Sequence, residues 1–149
     1  MRVLAVDPGA KRLGLSISDL SGTIANPLTV SEHISRLVDA AVIAALAVEY
    51  QVGLIVVGQS IDDEGQPTQE GKRASRLAAA IREQTDLPVV LWDEADSTQA
   101  ALAARRAFGS PRRKRRGHLD DLAATVILQS FLDAHPQAGS ELSSDPPSS

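Results

Sequence analysis

The chain has 149 residues, 43% hydrophobic and 23% charged, with no cysteine and a formal net charge of −4. That length suits one domain with a real core, and the lack of cysteine excludes disulfides, thiol nucleophiles and Cys-ligated metals. No apolar stretch approaches the ~20 residues that span a bilayer, and Asp7 interrupts the first apolar run too early for a signal peptide, so the expectation is a cytoplasmic protein with no membrane partner.

Residues 2–7 (RVLAVD) and 13–18 (LGLSIS) read as two strands joined by the turn Pro8-Gly9-Ala10-Lys11-Arg12. A third extended stretch, about 23–30, contains Pro27 and is expected to be short or irregular. From Ser31 the period changes, and Ile34, Leu37, Val38, Ala41, Val42, Ala45 and Leu46 mark one face of a long amphipathic helix. The uninterrupted apolar run GLIVVG (53–58) predicts a strand buried on both faces. After a polar loop, a helix is expected over about 68–85, with Ala74, Leu77 and Ile81 inward. PVVLW (88–92) is the next buried strand, and Ser97 or Thr98 can cap a helix running to about Phe108. A last helix covers about 119–134. The segment 135–149, rich in Pro and Ser, has the composition of a disordered tail, which leaves 1–134 as the domain. Antiparallel strands followed by strands alternating with helices imply an α/β fold, a mixed five-stranded sheet covered by helices.

The charge is unevenly spread. Residues 105–116 hold seven of the fifteen basic residues and no acidic one, so the remainder carries eight basic against nineteen acidic residues, a net of −11. A basic segment on an acidic body is either a solvated loop or a polyanion-binding element.

Sites in such a sheet form beyond the carboxyl ends of the parallel strands. Asp7 closes the first strand and Asp93-Glu94 the fifth, so two separate strands deliver acids to one edge. Each alone has an ordinary explanation as a turn or helix-start residue. On the last helix, at ~100° per residue, Asp120 falls in phase with Ala124, Ile127 and Phe131, whereas Asp121 sits nearer the side of Thr125, Gln129 and Asp133. Three carboxylates gathered together repel one another unless cations neutralise them. Mg²⁺ or Mn²⁺ prefers oxygen ligands and keeps waters, and two such ions ~3.5–4 Å apart can cleave a phosphodiester. Zinc finds no ligand cluster among His33, His118 and His135.

The stretches VDPGAKRLGLSISD, VVGQSIDDEG, VVLWDEADST and GHLDDLAATVILQSFL, in this order and spacing, resemble the YqgF/RuvX family of the RNase H-like superfamily over residues 1–134. That resemblance implies an RNase H-like fold and a metal-dependent nuclease site. Members are described as nucleases that mature the 5′ end of 16S ribosomal RNA and as Holliday junction resolvases. The family's acidic positions fall on Asp7, Glu94 and Asp120, which implies these as catalytic residues and metal ligands. Lys11, Arg12 and Gly14 match its first motif. Three departures stand out. Ala95-Asp96 replace the usual Arg-Leu, removing a basic group. Gln59-Ser60 stand where Leu-Pro usually follows Gly58, and His118 replaces a Lys.

The leading expectation is a nuclease acting on an rRNA precursor or on branched DNA, as a monomer or homodimer. Lys11, Arg12, Arg112, Arg113, Lys114, Arg115 and Arg116 would grip flanking phosphates without reading sequence. Aromatic content of 3% makes base stacking a minor element. A nucleic-acid-binding module without catalysis is the alternative. A phosphotransferase of the actin-like kinase type would need two such domains and roughly twice this length.

Overall fold

A computed structural model of the chain describes residues 1–93 and 116–136, with side chains described for residues 1–93 and 122–136. Glu94, the helix expected near 97–108, Arg112 to Arg115 and the tail beyond residue 136 lie outside the described residues.

Strands β1 (Arg2–Pro8) and β2 (Arg12–Ser18) form an antiparallel hairpin in which Asp7 faces Gly14. The Gly9 N–H closes the turn on the Arg12 carbonyl at 2.9 Å. β3 (Ala25–Glu32) runs antiparallel to β2 at the sheet's edge. The third strand is not short, since it spans eight residues, but it is irregular as expected. Leu15 faces Thr29 and Ser16 faces Pro27, so Leu28 is the extra residue of a bulge. An edge position beside a bulge tolerates proline, because the missing N–H takes little from the ladder. β4 (Val52–Gln59) lies parallel to β1 and β5 (Val89–Asp93) parallel to β4. The order β3-β2-β1-β4-β5 is the mixed five-stranded sheet expected from the sequence.

Helices α1 (Arg36–Glu49) and α2 (Gln69–Gln84) cover one face. The Ser35 hydroxyl accepts the Val38 N–H at 3.2 Å, and the Thr68 hydroxyl accepts the Gly71 N–H at 3.1 Å, capping their starts. Helix α3 (Arg116–Ala134) covers the other face. Strand pleating divides the core between them. Leu4, Val6, Leu13, Leu15, Ile55 and Val57 pack under α1 and α2 with Ile43, Leu77 and Ile81. Val3, Ala5 and Val56 pack under α3 with Leu128, Phe131 and Leu132. No helix among the described residues is long and apolar enough to cross a membrane.

The stripe on α3 has the expected phase, with Ala124, Ile127 and Phe131 all buried. The one on α1 does not. Its buried residues are Asp39, Ala40, Ile43 and Ala47, while Ile34, Leu37, Val38 and Val42 are exposed. Two apolar stripes compete on this alanine-rich helix, and the one with the small Ala40 and Ala47 lies against the core.

Candidate functional site

β1 is apolar through Val6 and polar at its end. By pleat alternation Asp7 shares a face with Val3 and Ala5, the face that α3 covers. Register then shows what lies beside it. On β2 the opposite residue is Gly14. It lies in phase with Ser16, whose hydroxyl meets α3. On β4, Val6 pairs with Val57, so Asp7 comes level with Gly58, which is in phase with Val56 on the same face. The strands on both sides of Asp7 therefore present no side chain at its level. Asp7 is half-buried at the mouth of a strand, and the positions level with it on both neighbouring strands are glycines.

β5 ends at this same edge. Trp92 is level with Gly58, and Asp93 lies one residue further on. With β4 between them, β1 and β5 are separated by about 10 Å. Trp92 belongs to the α3 side, where its indole N–H donates to the Ser130 hydroxyl at 3.2 Å and its ring meets Phe131 edge-on. Asp93 alternates to the opposite face from Asp7, in phase with Val89 and Leu91.

Helix α3 is fixed by polar contacts at two levels. The Ser16 hydroxyl donates to the Ala124 carbonyl at 2.8 Å. Five residues later, Gln129 accepts the Ala25 N–H at 2.9 Å and donates to the Thr23 carbonyl at 3.0 Å, near the far end of β2. α3 thus starts at the hairpin-turn end of the sheet. Asp120 is one turn, about 5.4 Å, before Ala124, and Gly14 is two residues, about 6.8 Å, before Ser16. The Asp120 backbone and Asp7 consequently belong to the same end of the same face.

Among the described residues, no group of three or more His, Cys, Asp or Glu could hold a metal. Of the three acids singled out from the sequence, only Asp7 has a described side chain. Its setting still suits a hard cation: the donor is a carboxylate oxygen, the flanking positions are glycines, and among the described residues no Cys or His competes at that level. Lys11 and Arg12 are exposed at the hairpin turn, next to this edge. Arg116 is the first residue of α3.

Some residues were not legible in advance. Gly58 shows its importance only through strand register. Asp39, 4% exposed, accepts the Ile34 N–H at 3.1 Å and meets His33 Nδ1 at 2.5 Å. It reads in the sequence as one more polar residue at a helix start, and only its burial marks it out.

Against known proteins, a sequence model of the RuvX family, described as Holliday junction resolvase, matches residues 1–134. A protein of Thermoanaerobacter pseudethanolicus, provisionally named pre-16S rRNA nuclease, is 37% identical over 135 residues, which is 90% of this chain and 97% of that protein. One of the same name from Geobacillus kaustophilus is 40% identical over 136 residues, covering 90% and 99%. Among solved structures, Thermus thermophilus RuvC superposes with a TM-score of 0.58 at 16% identity, covering 91% of this chain and 97% of that one. The same protein in complex with a Holliday junction substrate gives 0.56 at 17% identity, covering 91% and 96%. At these identities the RuvC structures speak for the fold alone, the RNase H-like arrangement.

Proposed function

This chain belongs to the RuvX family of Holliday junction resolvases, and from that premise we infer that it is a nuclease hydrolysing phosphodiester bonds of nucleic acid, with the 5′ end of the 16S rRNA precursor as its substrate. The observation that carries this reading is Asp7 at the end of β1, on the face of α3, between Gly14 and Gly58. A carboxylate at a strand mouth, flanked by glycines on both neighbouring strands, is placed to bind something small and positive. The relatives from Thermoanaerobacter and Geobacillus carry the rRNA name over nearly their whole length, which favours RNA.

Asp7, Glu94 and Asp120 would together hold the cation, Mg²⁺ or Mn²⁺. A divalent ion there supplies Lewis acidity at the scissile phosphate and an activated water. The chain's own part is positional. The rigid sheet fixes Asp7, and the Ser16–Ala124 hydrogen bond fixes the helix that carries Asp120. Lys11 and Arg12 at the turn, with Arg112, Arg113, Lys114, Arg115 and Arg116, would neutralise phosphates on either side of the cut and hold the strand in place.

A second reading, cleavage of four-way DNA junctions, is favoured by the family description itself. One assay separates the two. The protein is incubated with a 16S precursor 5′ fragment, a four-way DNA junction and single-stranded controls, each with Mg²⁺ or Mn²⁺. The expected result is RNA cleavage that vanishes in Asp7→Asn. Cutting of the junction alone would establish the second reading, and equal cutting by the variant would remove Asp7 from the site.

A further inference from the structure

The turn after Asp7 also forms the wall of a second feature, on the opposite face. A cleft of about 260 Å³ lies where the hairpin turn, the start of α1 and the first half of α2 meet. Pro8, Gly9 and Leu13 line it from the sheet, Arg36 from α1, and Arg73 and Arg76 from α2. All three arginines are exposed, and none has a hydrogen bond or ion pair among the described residues. Arg73 and Arg76, three apart on a helix, project from neighbouring positions. Among the described lining residues the one carboxylate, Asp39, forms no ion pair with any of the three. It is buried, and its two oxygens are engaged by the Ile34 N–H and by His33.

Three guanidinium groups around a small concavity, on an otherwise acidic body, repel one another unless an anion joins them. Guanidinium forks suit phosphate oxygens, which they can hold with two parallel hydrogen bonds. The size and lining point to a backbone phosphate rather than a base. The volume is below that of ordinary small-molecule sites, and the only aromatic ring among the described lining residues, His33, is already paired with Asp39.

We propose that this cleft seats a backbone phosphate of the nucleic-acid strand close to the one being cut. The proposal rests on the reading of Asp7 as part of the hydrolytic site. Pro8 and Gly9 are one and two residues from Asp7, so both features share one turn while facing opposite sides of the sheet. A strand bound at both passes over the sheet edge, from the α3 face to the α1–α2 face. Arg36, Arg73 and Arg76 grip it without reading sequence, and RNA and DNA, which share this backbone, are both accommodated.

The test measures binding without cleavage. Fluorescence anisotropy in chelator, with a labelled 16S precursor fragment and a labelled four-way junction, compares wild type with Arg73→Ala/Arg76→Ala across a salt series. A matched control, Arg2→Gln, removes a cation at the far end of β1. The double variant is expected to raise Kd about tenfold or more and to flatten the salt dependence by roughly one to two phosphate contacts. Arg2→Gln is expected to bind like wild type, and circular dichroism to report an intact fold for all three. With metal, the double variant should show raised KM and nearly unchanged kcat. Wild-type affinity and salt slope in the double variant, or an equal loss in Arg2→Gln, would overturn the proposal. Inorganic phosphate competing as well as the strand would also overturn it, marking a free-anion site. Asp7→Asn run in parallel keeps the two ideas apart: normal cutting by that variant defeats the hydrolytic reading and leaves the chelator measurement to decide the cleft.

Discussion

The hydroxyl of Ser16 donates to the carbonyl of Ala124 at 2.8 Å, deep between the sheet and α3. Ser16 is two residues from Gly14, the cross-strand partner of Asp7, and Ala124 is one turn from Asp120. One buried hydrogen bond therefore registers the helix of one proposed ligand against the hairpin of another. Burying a hydroxyl is unfavourable unless it is bonded, so the serine is explained by the contact it makes.

Removing that contact should be felt in stability first. Ser16→Ala loses a buried hydrogen bond but leaves the Ala124 carbonyl its helical partner, so the expected cost is about 1 kcal/mol. Thermal denaturation should fall by about 2–4 °C. An unchanged midpoint would mean that the contact does not anchor α3.

Asp7→Asn should separate activity from folding. Cleavage is expected to drop on the order of 10²-fold or more, because an amide is a poor ligand for a hard cation. Chelation of divalent metal should produce the same loss in wild type. Asp7→Asn is expected to leave the melting temperature in metal-free buffer nearly unchanged, since the side chain is half-buried at the strand mouth rather than in the core. Calorimetry beside a cleavage assay checks both halves.

Gly71 tests how α2 is seated. A β-carbon there would collide with the Ser60 carbonyl oxygen, which is backbone and cannot swing away. The Gly71 carbonyl also accepts the Gln59 side-chain amide at 3.2 Å, tying the end of β4 to the helix. Gly71→Ala should therefore destabilise by about 1–3 kcal/mol, as overpacking does, despite alanine's better helix propensity. Chemical denaturation gives the sign directly.

The two faces of α1 make a paired prediction, and they show where the sequence stopped being readable. Ile43→Ala should cost about 2–4 kcal/mol, since Ile43 is 1% exposed. Leu37→Ser should stay within about 0.5 kcal/mol, since Leu37 is 65% exposed. The sequence favoured the stripe containing Leu37, because leucine and valine outweigh alanine on any hydropathy scale. Charged residues occur in α1 only at Arg36, Asp39 and Glu49, so polarity supplies no phase either. Strands were legible for the opposite reason: the continuous runs around Val6, Val56 and Val90 admit one interpretation, and each ends at a polar residue or turn. Asp7 stood out as a charge closing such a run. Gly14 and Gly58 as its flanks, and Arg36, Arg73 and Arg76 as one cleft, depend on register and helix docking. No local pattern carries that information.

Acid sensitivity should have an identifiable source in the β2–β3 turn. The Asp19 carboxylate accepts the Thr23 N–H at 2.9 Å and the Ile24 N–H at 3.2 Å, and its other oxygen accepts the Ser21 hydroxyl at 2.9 Å. These bonds, the Thr23 N–H above all, outweigh desolvation and hold its pKa down to about 2. An unfolded Asp titrates near 3.9. The folded state therefore prefers the ionised form. Its stabilisation is complete above about pH 4 and disappears as pH falls toward 2. The turn is open to solvent, so the contribution is about 1 kcal/mol or less. Asp19→Asn should lower stability at pH 6 and match wild type near pH 2. The Thr23 carbonyl that receives Gln129 belongs to this turn, so protonation should loosen the anchorage of α3 as well. Hydrogen exchange at the Ala25 N–H, bonded to the same Gln129, should accelerate over that interval. A gap between variant and wild type that stays constant from pH 6 to pH 2 would show that charge at Asp19 plays no part.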